Sequence, residues 1–163
     1  MASDGAPELT KVDGAGLTLG IVAARWHSEL TDHMLDRAKK AAEACNVDHV
    51  TVARVAGCVE LPVVAQALAH RLDAVVALGV VVRGDTPHFD MVCRAVTDGL
   101  TRVAIDESTP VAHGVLTVES LDQAKERAGL DSGSSADATD DKGWASTVAA
   151  LDAALAIRLV AKT

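Results

Sequence analysis

His88 closes a run of residues whose types could do chemistry together. Residues 79–90 read GVVVRGDTPHFD, so buried-looking valines open into Arg83, Gly84, Asp85, Thr86 and Pro87 before the imidazole. Thr86 has the type of an N-cap, and Pro87 suits the first helical position, where its missing N–H has no partner to lose. A helix starting there would aim its first backbone N–H groups into the loop, the arrangement by which helix N-termini hold anions. His88 would stand in that first turn, whose positive end disfavours an imidazolium and favours a proton-accepting ring. From this loop alone, a surface histidine beside an ordinary cap explains the same residues equally well.

Other candidates lie in separate stretches. Glu60 sits in AGCVELP (56–62) just before a helix, where a carboxylate could bond ligand hydroxyls or simply answer the helix dipole. Trp26 lies in the polar stretch ARWHSE of a chain with two Trp, one Phe and no Tyr. A planar ligand could stack on it, and packing over the core edge is its plain alternative. Trp144 fits an apolar helical stripe and is assigned to packing. Arg127 and Lys142 read individually as solvated cations. The glycine-rich GAGLTLG (14–20) precedes its strand instead of following it, so it is no nucleotide loop.

The composition limits what these residues can serve. A chain of 163 residues fits one domain, read as a flexible segment over 1–16 followed by a folded unit over 17–163. Its net charge of −8 argues against a nucleic-acid partner. No apolar run approaches a membrane span and the polar N-terminus has no signal pattern, so a cytoplasmic protein without a membrane partner is expected. Cys45, Cys58 and Cys93 are odd in number and lack a C-x-x-C pair, and the histidines lack ligand spacing; neither a disulfide framework nor a metal is expected.

Strand-like and helical stretches alternate. LTLGIVAA (17–24), VTVARV (50–55), AVVALGVVV (74–82) and VAHGVLTV (111–118) read as strands. Between them lie a helix with Met34, Leu35, Ala38, Ala41, Ala42 and Cys45 on one stripe, a short helix from Pro62 to about His70, and one from Thr86 towards Arg102. LDQAKERAG (121–129) and a last helix carrying Trp144, Val148, Leu151, Leu155 and Leu159 follow. The linker between these two, DSGSSADATDD (131–141), is expected to be mobile. Strands separated by helices imply parallel neighbours, hence an α/β fold: a three-layer α/β/α sandwich around a central four-stranded parallel sheet. Ligands of such sheets sit beyond the strand carboxyl ends, so the stretches at 25–29, 56–61, 83–88 and 113–114 are expected to meet.

Taken in order, RWH (25–27), GCVELP (57–62), LGVVVRGDTPHFD (78–90), GVLT (114–117), QAKERAG (123–129) and DKG (141–143) resemble the 6,7-dimethyl-8-ribityllumazine synthase family, from about residue 17 to the end. The resemblance implies a cofactor-independent step of riboflavin biosynthesis. In it, 5-amino-6-(D-ribitylamino)uracil and 3,4-dihydroxy-2-butanone 4-phosphate condense with release of phosphate and water. It implies His88 as the proton-transfer group, and Trp26, Cys58, Val59, Glu60, Val80, Val81, Val82, His113 and Lys142 around the pyrimidine and ribityl chain. Gly84, Asp85, Thr86 and Arg127 are implied at the phosphate.

The same resemblance implies a homopentamer with active sites between subunits and a functional link to riboflavin synthase, and the segment around residues 8–16 is expected to add a strand to the neighbouring sheet at its open edge. The long acidic linker favours a free pentamer over a shell. Three positions depart from the family's pattern: His113 replaces an aromatic or Asn, Asp85 puts a carboxylate beside the phosphate, and WAS after DKG lacks an acidic residue. A non-catalytic lumazine or flavin carrier is the second class compatible with these motifs. Retention of both His88 and Arg127 favours the enzyme.

Overall fold

The computed structural model describes residues 11–130 and 141–163, with Gly5 and Pro7. Its elements run β1 (Thr18–Ala24), α1 (Ser28–Ala44), β2 (His49–Val55), a 3-10 turn (Cys58–Glu60), α2 (Leu61–Ala69), β3 (Ala74–Val82), α3 (His88–Glu107), β4 (Val111–Val118), α4 (Leu121–Ala128) and α5 (Lys142–Val160). The unbroken apolar run of β3 has the chemistry of a strand covered on both faces, and all but its last two residues are buried. The four strands pair in parallel in the order β2-β1-β3-β4. The expected α/β architecture is therefore observed.

Alternation along β3 assigns the layers. Ala74, Val76, Leu78 and Val80 face a core shared with α1, α4 and α5, while Val75 and Ala77 face one shared with α2 and α3. Gly143 permits the close approach of α5 to α1, since a Cβ there would lie 2.2 Å from the Met34 carbonyl oxygen. Asp141, expected in the linker, is buried as the N-cap of α5: it accepts from the Trp144 N–H at 3.1 Å and pairs with Arg37 at 2.5 Å. The Arg37 guanidinium also lies 5.1 Å from the Trp144 ring centroid. The rest of that linker, 131–140, lies outside the described residues.

Other differences are local. Within the segment expected to be flexible, the Gly14 N–H donates to the Cys45 carbonyl at 2.6 Å and the Gly16 N–H to Asp48 at 2.9 Å. The third helix starts at His88 and not at Thr86; Pro87 takes the cap position, its carbonyl accepting from the Asp90 N–H. Proline disfavours helical backbone at the residue before it, which keeps Thr86 out of the helix. Leu159 continues the apolar spacing of α5 but is exposed, as is every residue of the helix from Ala156 on. By length and composition α5 could cross a membrane, contrary to the expectation that no run comes close. Its buried Val148, Ala150, Leu151 and Ala154 pack in the domain core instead.

Candidate active site

The sheet order places β1 beside both β2 and β3, and the chain leaves these strands towards opposite faces. After β1 it enters α1 on one face; after β3 it enters α3 on the other. A crevice opens at such a switch point beyond the carboxyl ends. Pairing of β1 with β3 ends at Ala23 and Leu78, whereas β3 runs on to Val82 beside β4. The backbone of Val80–Val82 on the β1 side is thus left facing a cleft of about 460 Å³.

Three segments line it. Trp26 and His27 come from the β1–α1 loop, Ala56 to Glu60 from the β2–α2 connection, and Val80 to Val82 with His88 and Val92 from β3 and α3. The Arg25 N–H donates to the carbonyls of Val55 and Ala56 at 2.9 and 3.2 Å, which ties the first exit to the second. Trp26 is 69% exposed, so its ring is available for stacking and not committed to the core. A Cβ on Gly57 would stand 3.5 Å from the Trp26 ring and 3.3 Å from the Glu60 carboxylate. His27 holds a left-handed backbone (φ 55°) at the N-cap of α1, a conformation that clusters at functional sites.

The geometry divides the roles. Glu60 folds back so that its Oε2 accepts from the Gly57 N–H at 2.8 Å, leaving Oε1 as the oxygen available to a ligand. Cys58 is buried, with its Sγ donating to the Val80 carbonyl at 3.8 Å. Burial pushes its thiol up to about 11, with the Val80 bond opposing the shift, so it lines the cleft as a protonated group and not as a nucleophile. His88 is exposed in the first turn of α3. Gly84, Asp85 and Thr86 form the exposed turn before it and do not line the cleft.

His113, Arg127 and Lys142 are brought together elsewhere. The stretch at 113–114, expected to leave a strand end, lies inside β4, where His113 pairs with Ala77 and Gly114 with Leu78. It therefore does not join the other three segments: a strand reaching to Val118 carries its carboxyl end well past His113. His113 is held below the usual imidazole range, first by burial and then by the Lys142 charge. Lys142 is likewise lowered, first by burial and then by the Arg127 charge. Among the described residues no carboxylate pairs with Arg127 or Lys142. Cations without a carboxylate partner among the described residues suit an anion.

Ala56, Gly57, Val92 and His27 line the cleft without an assigned role from sequence, although His27 stands in the RWH motif. Its positive φ is a property of the folded backbone, and no residue type announces it.

This is an open parallel α/β protein with a ligand cleft at the switch point of its sheet and a separate pair of cations, Arg127 and Lys142, that have no carboxylate partner among the described residues. The sequence profile of 6,7-dimethyl-8-ribityllumazine synthase matches residues 16–158. The chain belongs to that family. It is 67% identical to the 6,7-dimethyl-8-ribityllumazine synthase of Salinispora arenicola over all of this chain and 95% of that one. Identity to the protein of the same name from Thermobifida fusca is 58%, covering 97% of this chain and 89% of that one. With the one from Mycolicibacterium vanbaalenii it is 56%, covering 94% and 95%.

Proposed function

We infer that this chain condenses 5-amino-6-(D-ribitylamino)uracil with 3,4-dihydroxy-2-butanone 4-phosphate to form 6,7-dimethyl-8-ribityllumazine, releasing phosphate and water. The observation that carries the reading is the likeness, over the whole of this chain, to relatives bearing that name, at 67% identity for the first of them. Attack of the pyrimidine amine on the ketone gives a carbinolamine, and loss of water gives an imine. Phosphate leaves as a proton is taken from the adjacent carbon, and ring closure with a further loss of water completes the product. His88 moves the protons. Trp26 stacks on the pyrimidine, Glu60 and the backbone of Val80–Val82 orient its polar edges and ribityl chain, and Cys58 and Val59 shape the wall. Holding both substrates at contact distance supplies much of the acceleration.

The phosphate is received by the turn Gly84–Thr86 and by Arg127, with His113 and Lys142 contributed from the same patch as Arg127. This reading requires a second copy of the chain, because the basic patch does not line the cleft of its own subunit. A homopentamer with one site at each interface meets that requirement. Val59, Val63 and Met91 fit it: all are exposed apolar residues, Val59 in the cleft wall and the others on α2 and α3, as an interface would need. The edge strand β2, with Val52 exposed, is where a neighbour's N-terminal strand would add. Three free thiols suit a cytoplasmic, reducing compartment. The product links the reaction functionally to riboflavin synthase.

The test is to incubate the purified protein with both substrates, without metal or nucleotide, and follow lumazine absorbance. Formation well above the uncatalysed background is expected. Folded protein giving only the background rate would overturn the reading.

A further inference from the structure

We propose that Arg83 is a positioning residue that brackets the anion-binding turn, holding Gly84 to Pro87 and the imidazole of His88 in register without touching substrate. The proposal rests on the function inferred above. Its geometry involves three elements. The Arg83 N–H donates to the Val118 carbonyl at 2.9 Å, which fastens the end of β3 to the end of β4. The guanidinium Nε donates to Glu119 Oε2 at 2.7 Å, just past β4. Its terminal nitrogens reach Asp90 at 3.5 Å, and its carbon lies 4.2 Å from the centroid of the Phe89 ring. Phe89 and Asp90 belong to the first turn of α3, so one side chain spans the turn from its first residue to the helix beyond it.

The turn has little else to fix it. Among the described residues, no hydrogen bond involves Gly84, Asp85 or Thr86. Residues 83–88 are all exposed, and a Cβ added at Gly84 would meet nothing within 4 Å. Its shape is therefore set at its two ends, by Arg83 on one side and by the Pro87 carbonyl that opens α3 on the other. Exposed ion pairs contribute little to global stability. A planar guanidinium that pairs and stacks at once is pre-organised, however, and selects one loop geometry at small entropic cost. Release of the bracket would leave the turn competent only part of the time, and apparent affinity falls by that fraction.

Steady-state kinetics on full-length Arg83→Ala, Arg83→Lys and Glu119→Gln test the proposal. A turn competent a tenth to a fifth of the time raises the KM for the butanone phosphate about five- to tenfold in Arg83→Ala. The KM for the pyrimidine and the thermal midpoint stay at wild-type values. Arg83→Lys is intermediate, since an ammonium cannot both fork and stack. Glu119→Gln separates bracket from plain attraction: freeing the Arg83 cation would lower the phosphate-substrate KM if Arg83 merely drew anions, whereas loss of the bracket raises it. A fall in Glu119→Gln, an unchanged KM in Arg83→Ala, or equal rises for both substrates overturns the proposal. Hydrogen exchange provides a readout without substrate. Faster exchange of the Asp90 and Met91 amides, which donate to the Pro87 carbonyl, in Arg83→Ala supports the bracket, and unchanged protection overturns it. A wild-type protein without synthase activity would overturn the functional reading instead, with the exchange result still deciding the bracket.

Discussion

At the scale of single residues, the cleft and the basic patch have separable jobs, and kinetics should separate them. His88→Ala removes the proposed proton-transfer group but leaves both proposed binding regions, so turnover should fall about 10- to 100-fold with each KM little changed. An unchanged turnover number would remove His88 from the chemistry. Arg127→Ala should act the other way. A charge-assisted hydrogen bond is worth about 1.5–3 kcal/mol, which corresponds to a rise of about ten- to hundredfold in the KM for the butanone phosphate. The pyrimidine KM should barely move. His113 adds a pH signature. Its folded-state pKa is depressed, by burial first and Lys142 second, so the unfolded chain takes up the proton more readily. Its contribution to stability is full above the ordinary imidazole value and is lost as pH falls through that value towards the folded one. Thermal midpoints of wild type and His113→Asn at pH 7.5 and 5.5 should show the larger acid-side drop in the wild type; parallel drops would contradict it.

At the scale of elements, helix starts govern which groups reach a ligand. The start of α5 is held by Asp141, Arg37 and Trp144, and by the contact of Gly143 with Met34 on α1. Lys142 lies within that junction, so its place beside Arg127 and His113 depends on helix packing. Gly143→Ala would place a methyl group 2.2 Å from the Met34 carbonyl and force the helices apart. Overpacking of this kind costs about 1–3 kcal/mol, measurable as a lower urea midpoint. Gly84→Ala is the contrasting case, because open space surrounds it. Its folding stability should stay within about 0.5 kcal/mol of wild type. An equal loss at both glycines would refute the packing account of α5.

At the scale of the molecule, the proposed division of the site between two surfaces predicts complementation. His88→Ala keeps the basic patch intact, and Arg127→Ala keeps the cleft intact. Unfolding and refolding the two together at equal amounts should restore about a quarter of wild-type activity, the share of interfaces that join two intact halves in a cyclic assembly. No recovery from mixed oligomers would place the whole site within one chain. Light scattering should give the mass of five chains; an active monomer would defeat the shared site, and a shell-sized particle the argument for a free pentamer.

The sequence by itself determined the layers and the cast of the cleft. Apolar runs and helical stripes report burial directly, so β3 over 74–82 and β4 over 111–118 were legible to the residue. Motif residues Trp26, Cys58, Val59, Glu60, Val80, Val81, Val82 and His88 do line one cleft. Only the tertiary structure decided who faces whom. Local periodicity carries no information about a partner 104 residues away, such as Asp141 for Arg37, or about the bond that turns one Glu60 oxygen onto Gly57. The order β2-β1-β3-β4 likewise follows from which faces can be covered at once, and it is this order that opens the crevice beside β3 and leaves His113, Arg127 and Lys142 away from it. Residue types state what a side chain can do; the packing of distant segments sets where its charge and its hydrogen bonds are aimed.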